Sequence, residues 1–297
     1  MTGAAAAVAG PEQPAAERVL RTELVDVGGG RAACVLDWGG GGDVIICVHP
    51  NGFCAGLFDP VARALPLTFR PVAIDLLGHG RSYQPSPDEP VSFESIAADV
   101  AAALDQLGIT RGFLVGCSLG GGVAILLDRL RPGLASGILL CEAGAFPAGS
   151  RPEHNPMADR LRRRRRVWPD QASMRAAWRG RGAMSDLSDA ALDAYLQWGV
   201  RQTPDGQASL RCDPEFEARI ADLSHAPDGA AAAWDHLPQL STRQVTIVAC
   251  DRSFLPTELV AAQAALLGCP MYLWHGGHLA FFADAARASA MIRRCFC

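Results

Sequence analysis

Residues 113–122 read Phe-Leu-Val-Gly-Cys-Ser-Leu-Gly-Gly-Gly, a G-x-S-x-G pattern between a short apolar run and an apolar helical stretch. A serine hydroxyl is a weak nucleophile by itself. Held in a sharp strand-to-helix turn it is presented for attack on a carbonyl carbon, and a glycine two positions away on each side leaves room for that turn. The turn also puts Ser118 at a helix N-terminus, where unpaired amides favour developing negative charge. The pattern therefore points to nucleophilic acyl chemistry, which further requires a base to take the serine proton and an acid to orient that base. A glycine-rich turn that merely contains a serine is the bland alternative, and the strand–turn–helix context argues against it.

A turn of this kind needs a sheet and a helix to hold it. Short apolar, β-branched runs at 33–38, 44–48, 72–76, 113–115 and 137–141 alternate with helical stretches at 93–107 and 121–130. Such alternation predicts a parallel sheet covered on both faces. After Pro147 the alternation stops, and to about residue 233 the chain reads as helices broken by Pro and Gly, with no convincing strand. Strands at 245–250 and 271–274, with helices at 256–267 and 280–294, then resume the pattern. The expected organisation is one α/β core, 18–146 plus 234–297, with a helical cap, 147–233, inserted between two core strands. Residues 1–17, Ala-rich and without a basic start, read as a disordered leader rather than a signal peptide. An insertion this long seldom exists without a task.

Composition narrows the field. With 297 residues, 49% hydrophobic and 20% charged, the chain can bury a sizeable core, which excludes disordered, collagenous and coiled-coil classes. A net charge of −4 argues against a nucleic-acid binder, and no apolar run reaches the roughly 18–20 residues of a membrane span. The ten cysteines form no C-x-x-C, and several lie in apolar runs, so they read as reduced thiols of a cytoplasmic protein rather than a disulfide or zinc framework. All 27 basic residues are arginine.

Two further motifs stand in order around the serine. His49-Pro50-Asn51-Gly52-Phe53 follows the run 44–48, and Asp75-Leu76-Leu77-Gly78-His79-Gly80-Arg81-Ser82 follows the next strand. With the G-x-S-x-G turn they make the chain resemble the α/β-hydrolase superfamily across its whole core. The resemblance implies an eight-stranded, mostly parallel sheet with a lid after the sixth strand. It also implies oxyanion donors at the backbone N–H groups of Leu119 and Asn51. Pro50 stands where the commoner turn has Gly, so Gly52 stays an alternative to Asn51. No metal or organic cofactor is expected.

The same resemblance points to His278 as the base, in Trp274-His275-Gly276-Gly277-His278, after the last apolar strand and before the final helix. His275 reads as a strand-ending structural residue, and His49 and His79 as turn-stabilising ones, while His154, His225 and His236 lie in or beside the insertion. Two carboxylates compete for the acid. Asp251 follows the strand 245–250, the common position in this superfamily, although Asp-Arg-Ser is also good turn chemistry. Glu142 closes the strand before Ala143-Gly144-Ala145-Phe146-Pro147, a stretch similar to one in haloalkane dehalogenases, where the acid can stand there as Glu. A carboxylate closing a buried strand is costly unless paired, so Glu142 is favoured. The dehalogenase likeness stops short of the chemistry, since those enzymes attack with Asp and this turn carries Ser118.

The expected activity is hydrolysis of an ester-type acyl bond in a fairly apolar small molecule, by Ser118, His278 and Glu142. Lactonase, thioesterase, C–C bond hydrolase, acyltransferase and non-catalytic ligand-binding readings share the same residues. A catalytic reading expects Ser118 Oγ within hydrogen-bond reach of His278 Nε2. The run Arg162–Arg166 reads as a solvated face, with a clamp for an anionic substrate as the alternative, and Trp168, Trp178, Trp198 and Trp234 read as packing the cap or lining a pocket beneath it.

Overall fold

In the computed structural model, which describes residues 18–150, 154–224, 226–240, 242 and 244–296, the first six strands are β1 (Arg21–Gly28), β2 (Arg31–Asp37), β3 (Asp43–Val48), β4 (Phe69–Ile74), β5 (Gly112–Cys117) and β6 (Ala135–Cys141). Three short strands follow, β7 (Val167–Trp168), β8 (Val200–Gln202) and β9 (Ala208–Leu210), and then β10 (Val245–Cys250) and β11 (Met271–Trp274). The helices are α1 (Asp59–Ala64), α2 (Phe93–Gln106), α3 (Leu119–Leu130), α4 (Pro156–Arg162), α5 (Gln171–Trp178), α6 (Asp189–Gly199), α7 (Pro214–Leu223), α8 (Ala232–His236), α9 (Thr257–Leu267) and α10 (Ala285–Phe296).

Eight strands make one sheet in the order β1-β2-β4-β3-β5-β6-β10-β11. Only β1–β2 and β2–β4 are antiparallel pairs; from β4 to β11 every pair is parallel. The sheet is thus the eight-stranded, mostly parallel one that the resemblance implies. The central strands carry buried apolar runs because both faces are covered, and successive side chains point to opposite faces. Ile46, Val48, Leu114, Ile138, Leu140 and Ile247 pack on one side with residues of α2, α3 and α9. Ile45, Cys47, Phe113, Val115, Leu139 and Val248 pack on the other with residues of α1, α6 and α10. Helix α2 starts where Ser92 and Ser95 satisfy each other's amides in a capping box.

Several expectations need correction. Strand β1 was not foreseen; it is an edge strand whose residues are mostly exposed, so it carries no apolar alternation. Helix α3 begins at Leu119, two residues before the expected start, because the serine itself is its N-cap. The stretch expected as one helix from 280 is a 3₁₀ turn, Ala280–Phe282, followed by α10. Between β6 and β10 the chain carries α4–α8, and also a small antiparallel sheet in the order β7-β9-β8. Strands of two and three residues are too short to show a two-residue period, which is why this segment read as strandless. The boundary drawn at 233/234 falls inside α8. The leader, 1–17, lies outside the described residues.

Candidate active site

Ser118 has φ 54° and ψ −119°, a conformation that only a surrounding network can hold in a residue with a side chain. Its N–H donates to Cys141 O at 2.9 Å, at the end of β6, and its own carbonyl accepts from Gly144 N at 2.8 Å and Gly121 N at 2.9 Å. The glycines of the motif let these elements approach. A Cβ on Gly120 would stand 2.0 Å from Val48 O, and one on Gly116 would stand 2.5 Å from Gly120 O.

Glu142 is the other non-glycine residue with positive φ among the described residues, also 54°. Its N–H donates to Val248 O at 2.9 Å, which turns the buried side chain along the end of β10. There Oε1 accepts from Cys250 N at 2.7 Å, and Oε2 lies 3.1 Å from His278 Nδ1. Ser253 Oγ is 3.2 Å from the same nitrogen, and the Phe254 ring packs on the imidazole with centroids 4.2 Å apart. A carboxylate partner can only accept, so Nδ1 carries a proton, and in the neutral ring Nε2 keeps its lone pair. Nε2 is buried and makes no hydrogen bond with any described atom. The expected bond from Ser118 Oγ is therefore not formed; such bonds are often long before substrate arrives and tighten on binding.

Asp251 turns elsewhere. It accepts from Gly276 N at 3.0 Å and from the exposed His275 Nδ1 at 2.8 Å. These bonds, the Gly276 amide first, hold its carboxyl below the usual range. Each contested carboxylate thus meets a different histidine: Glu142 meets His278, and Asp251 meets His275.

The turn after β3 resolves by accounting for its amides. Pro50 has none, Gly52 N donates to His79 Nε2 at 3.0 Å, and Phe53 N donates to Pro50 O at 3.2 Å. Asn51 N is left over, as is Leu119 N at the start of α3: neither has an acceptor among the described residues. His49 and His79 are fully buried turn braces. The first accepts from Leu76 N at 2.9 Å, and burial keeps it well below the ordinary imidazole range. Burial likewise brings His79 down to about 4. Asp75 braces the same region, accepting from Ala55 N at 2.7 Å and Arg81 N at 2.8 Å, and burial pushes its carboxyl up to about 6.

Ser118, Leu119, Asn51 and His278 line one cavity of about 410 Å³, within the roughly 300–1,000 Å³ of small-molecule sites. Its far side comes from the inserted segment: Met157, Arg160 and Leu161 on one face of α4, and Glu217, Ile220 and Ala221 on one face of α7. Phe53, Phe93, Phe146, Phe254 and Leu255 make the remaining walls largely apolar. None of the tryptophans lines it. Trp178 stacks on Tyr195 at 5.4 Å and meets Trp168 edge-on at 5.2 Å, packing the insertion instead. Three residues of the Arg162–Arg166 run are also structural: Arg162 pairs with Glu215 and Asp222, Arg164 with Glu217, and Arg166 with Asp213. No group of three His, Cys, Asp or Glu among the described residues could hold a metal ion, and no described helix is long and apolar enough to cross a membrane.

Residues 45–290 match the family model described as the alpha/beta hydrolase family. The chain belongs to that family. An uncharacterized protein of Mycobacterium bovis is 36% identical over 105 residues, 35% of this chain and only 30% of that protein's length. Lipase LipV of Mycobacterium tuberculosis is 28% identical over 228 residues, 74% of this chain and 81% of the lipase. Among solved structures, the thioesterase domain from the curacin biosynthetic pathway superposes with a TM-score of 0.77 at 22% identity, covering 93% of this chain and 99% of that domain, a likeness of fold.

Within this hydrolase-family chain, three supporting residues escaped sequence reading. Gln263 of α9 is fully buried and donates to Ala143 O at 3.0 Å and Ala145 O at 2.8 Å, anchoring the loop after Glu142. Ser253 gave only a turn signal. Asp186 of the insertion reaches the His278 loop. All three lie far in sequence from what they hold, so no local pattern marks them.

Proposed function

We propose that this protein is a serine hydrolase cleaving an ester-type acyl bond of a small, largely apolar molecule. The observation that carries the reading is the Glu142–His278 pair: His278, whose Nε2 has no hydrogen-bond partner among the described atoms, lines the same cavity as Ser118. His278 Nε2 takes the Ser118 proton as Oγ attacks the carbonyl carbon, and Glu142 orients the ring and stabilises its charged form. The amides of Leu119 and Asn51 receive the oxyanion; one such donor is worth about 10²–10³ in rate. His278 then protonates the leaving group, and water activated by the same imidazole releases the acyl group. Residues 147–233 act as the cap, and Met157, Leu161, Ile220 and Ala221 of α4 and α7, with the phenylalanine walls, support an apolar acyl or alcohol part. The name of the mycobacterial lipase supports the ester class.

The test is intact mass after incubation with a fluorophosphonate probe. Wild type should gain a single adduct that Ser118→Ala lacks. A well-folded wild type that gains none, or an adduct that survives in Ser118→Ala, overturns the reading.

A further inference from the structure

We propose that Asp186, a residue of the inserted segment, is a positioning residue that clamps the loop carrying His278. The inference rests on the serine-hydrolase reading above. Asp186 ends the short 3₁₀ turn Gly182–Asp186. Its Oδ1 accepts from Gly277 N at 3.2 Å and its Oδ2 from Leu279 N at 3.3 Å, so one carboxylate holds the backbone on both sides of His278. Gly277 is what admits it, because a Cβ there would stand 2.3 Å from Asp186 Oδ2.

The loop needs an external hold. His278 follows two successive glycines, the first at φ 144°, a stretch with more conformational freedom to lose than any other. Glu142 and Ser253 fix the ring through Nδ1, but neither touches the backbone of the loop. Gly276 is held from the β10 side, its N–H donating to Asp251 Oδ1 at 3.0 Å and its carbonyl accepting from Arg252 N at 2.9 Å. Asp186 holds the residues on either side of His278, and it does so from the insertion rather than from the sheet. Ala183, in the same 3₁₀ turn, and Leu279, whose amide is clamped, both line the cavity. Nearby, Ser188 N donates to Phe282 O at 3.2 Å, which ties the end of the turn to the segment following His278. The position of the insertion over the cavity and the placement of the imidazole are therefore coupled through one carboxylate: a displacement of the turn that carries Ala183 takes the acceptor away from both amides.

A base displaced by about 1 Å costs on the order of 10² in rate. The rate of Ser118 labelling by a fluorophosphonate reads this without knowledge of the natural substrate. Asp186→Ala should slow labelling roughly 10- to 100-fold, and should broaden or shift the low-field Nδ1–H proton resonance of His278. Asp186→Asn keeps the shape and one acceptor oxygen, and should fall between Asp186→Ala and wild type; it also serves where the alanine variant folds poorly. A merely structural role would lower the melting temperature yet leave both the labelling rate of the folded protein and that resonance unchanged. Labelling of folded Asp186→Ala and Asp186→Asn within twofold of wild type overturns the clamp while leaving the hydrolase reading intact. A wild type that Ser118 fluorophosphonate labelling fails to modify overturns the hydrolase reading, and the clamp with it.

Discussion

Replacing Glu142 by glutamine perturbs the proposed base, His278, without changing the volume of a side chain that is 2% exposed. The two oxygens of Glu142 serve different donors: Oε1 accepts from Cys250 N at 2.7 Å, and Oε2 faces His278 Nδ1 at 3.1 Å. A glutamine can keep its carbonyl oxygen on only one of them. With the oxygen toward Cys250, its NH₂ faces His278 and drives the ring into the tautomer with the proton on Nε2, which cannot take a proton from Ser118. With the oxygen toward His278 the useful tautomer survives, but the buried Cys250 amide loses its acceptor at about 1–3 kcal/mol. At about 1.4 kcal/mol per tenfold, the competent arrangement then falls to between one in five and one in 150. Loss of the carboxylate charge beside the imidazolium removes about a further 1–2 kcal/mol, the difference between a charged and a neutral hydrogen bond. The two terms together give an expected fall in kcat of about 30- to 4,000-fold, short of the ~10⁴ seen when a serine protease triad is forced into the wrong tautomer. The assay is hydrolysis of an activated aryl ester together with the rate of fluorophosphonate labelling, on protein shown to be folded by circular dichroism. Asp251→Asn can keep its one oxygen on Gly276 N and so changes mainly the pairing with the exposed His275; it should change either rate less than about twofold. A folded Glu142→Gln within fivefold of wild type, or a larger loss from Asp251→Asn, would refute the assignment.

Other outcomes follow from the same geometry. Burial raises the Asp75 carboxyl to about 6, above its unfolded value, so the folded state binds that proton more tightly. The stabilisation is complete below about pH 4 and is lost as pH rises toward 6, so the stability of wild type relative to Asp75→Asn should fall across that window, by up to about 3 kcal/mol. Thermal unfolding of both at pH 4, 5, 6 and 7 reads this, and a difference independent of pH would contradict it. In the arginine run, Arg164 pairs with Glu217 at 19% and 6% side-chain exposure, whereas Arg166 and Asp213 are about half exposed. Arg164→Met should cost about 3–5 kcal/mol by leaving a buried carboxylate unpaired, and Arg166→Ala under about 1 kcal/mol. Equal losses in denaturant unfolding would return the run to a solvated face.

Much of the fold was legible because its signals are local. The buried parallel strands read as short apolar runs: β10, buried along its whole length, falls at the expected residues, and the edge strand β11 does too because its four residues are all apolar or aromatic. Edge strand β1 and the miniature sheet of the insertion escaped, the one because its residues face water and the other because two or three residues carry no period. The serine turn was legible for the same reason as the strands: its glycines and the serine lie within five residues and answer to one another's backbone.

Partnership between distant residues was not legible. The sequence by itself determined an α/β chain with a strained serine turn, a histidine near the end and two carboxylates at strand ends. Which carboxylate meets which histidine was decided by tertiary structure. The parallel pairing of β6 with β10 puts Glu142 N on Val248 O and its carboxylate on Cys250 N, aimed at the His278 loop. Asp251, one residue past β10, instead turns onto Gly276 and His275. Asp186 and Gln263 reach the site across 91 to 120 residues. No composition or spacing encodes such contacts, because they exist only once the sheet register and the seat of the insertion have brought those backbones together.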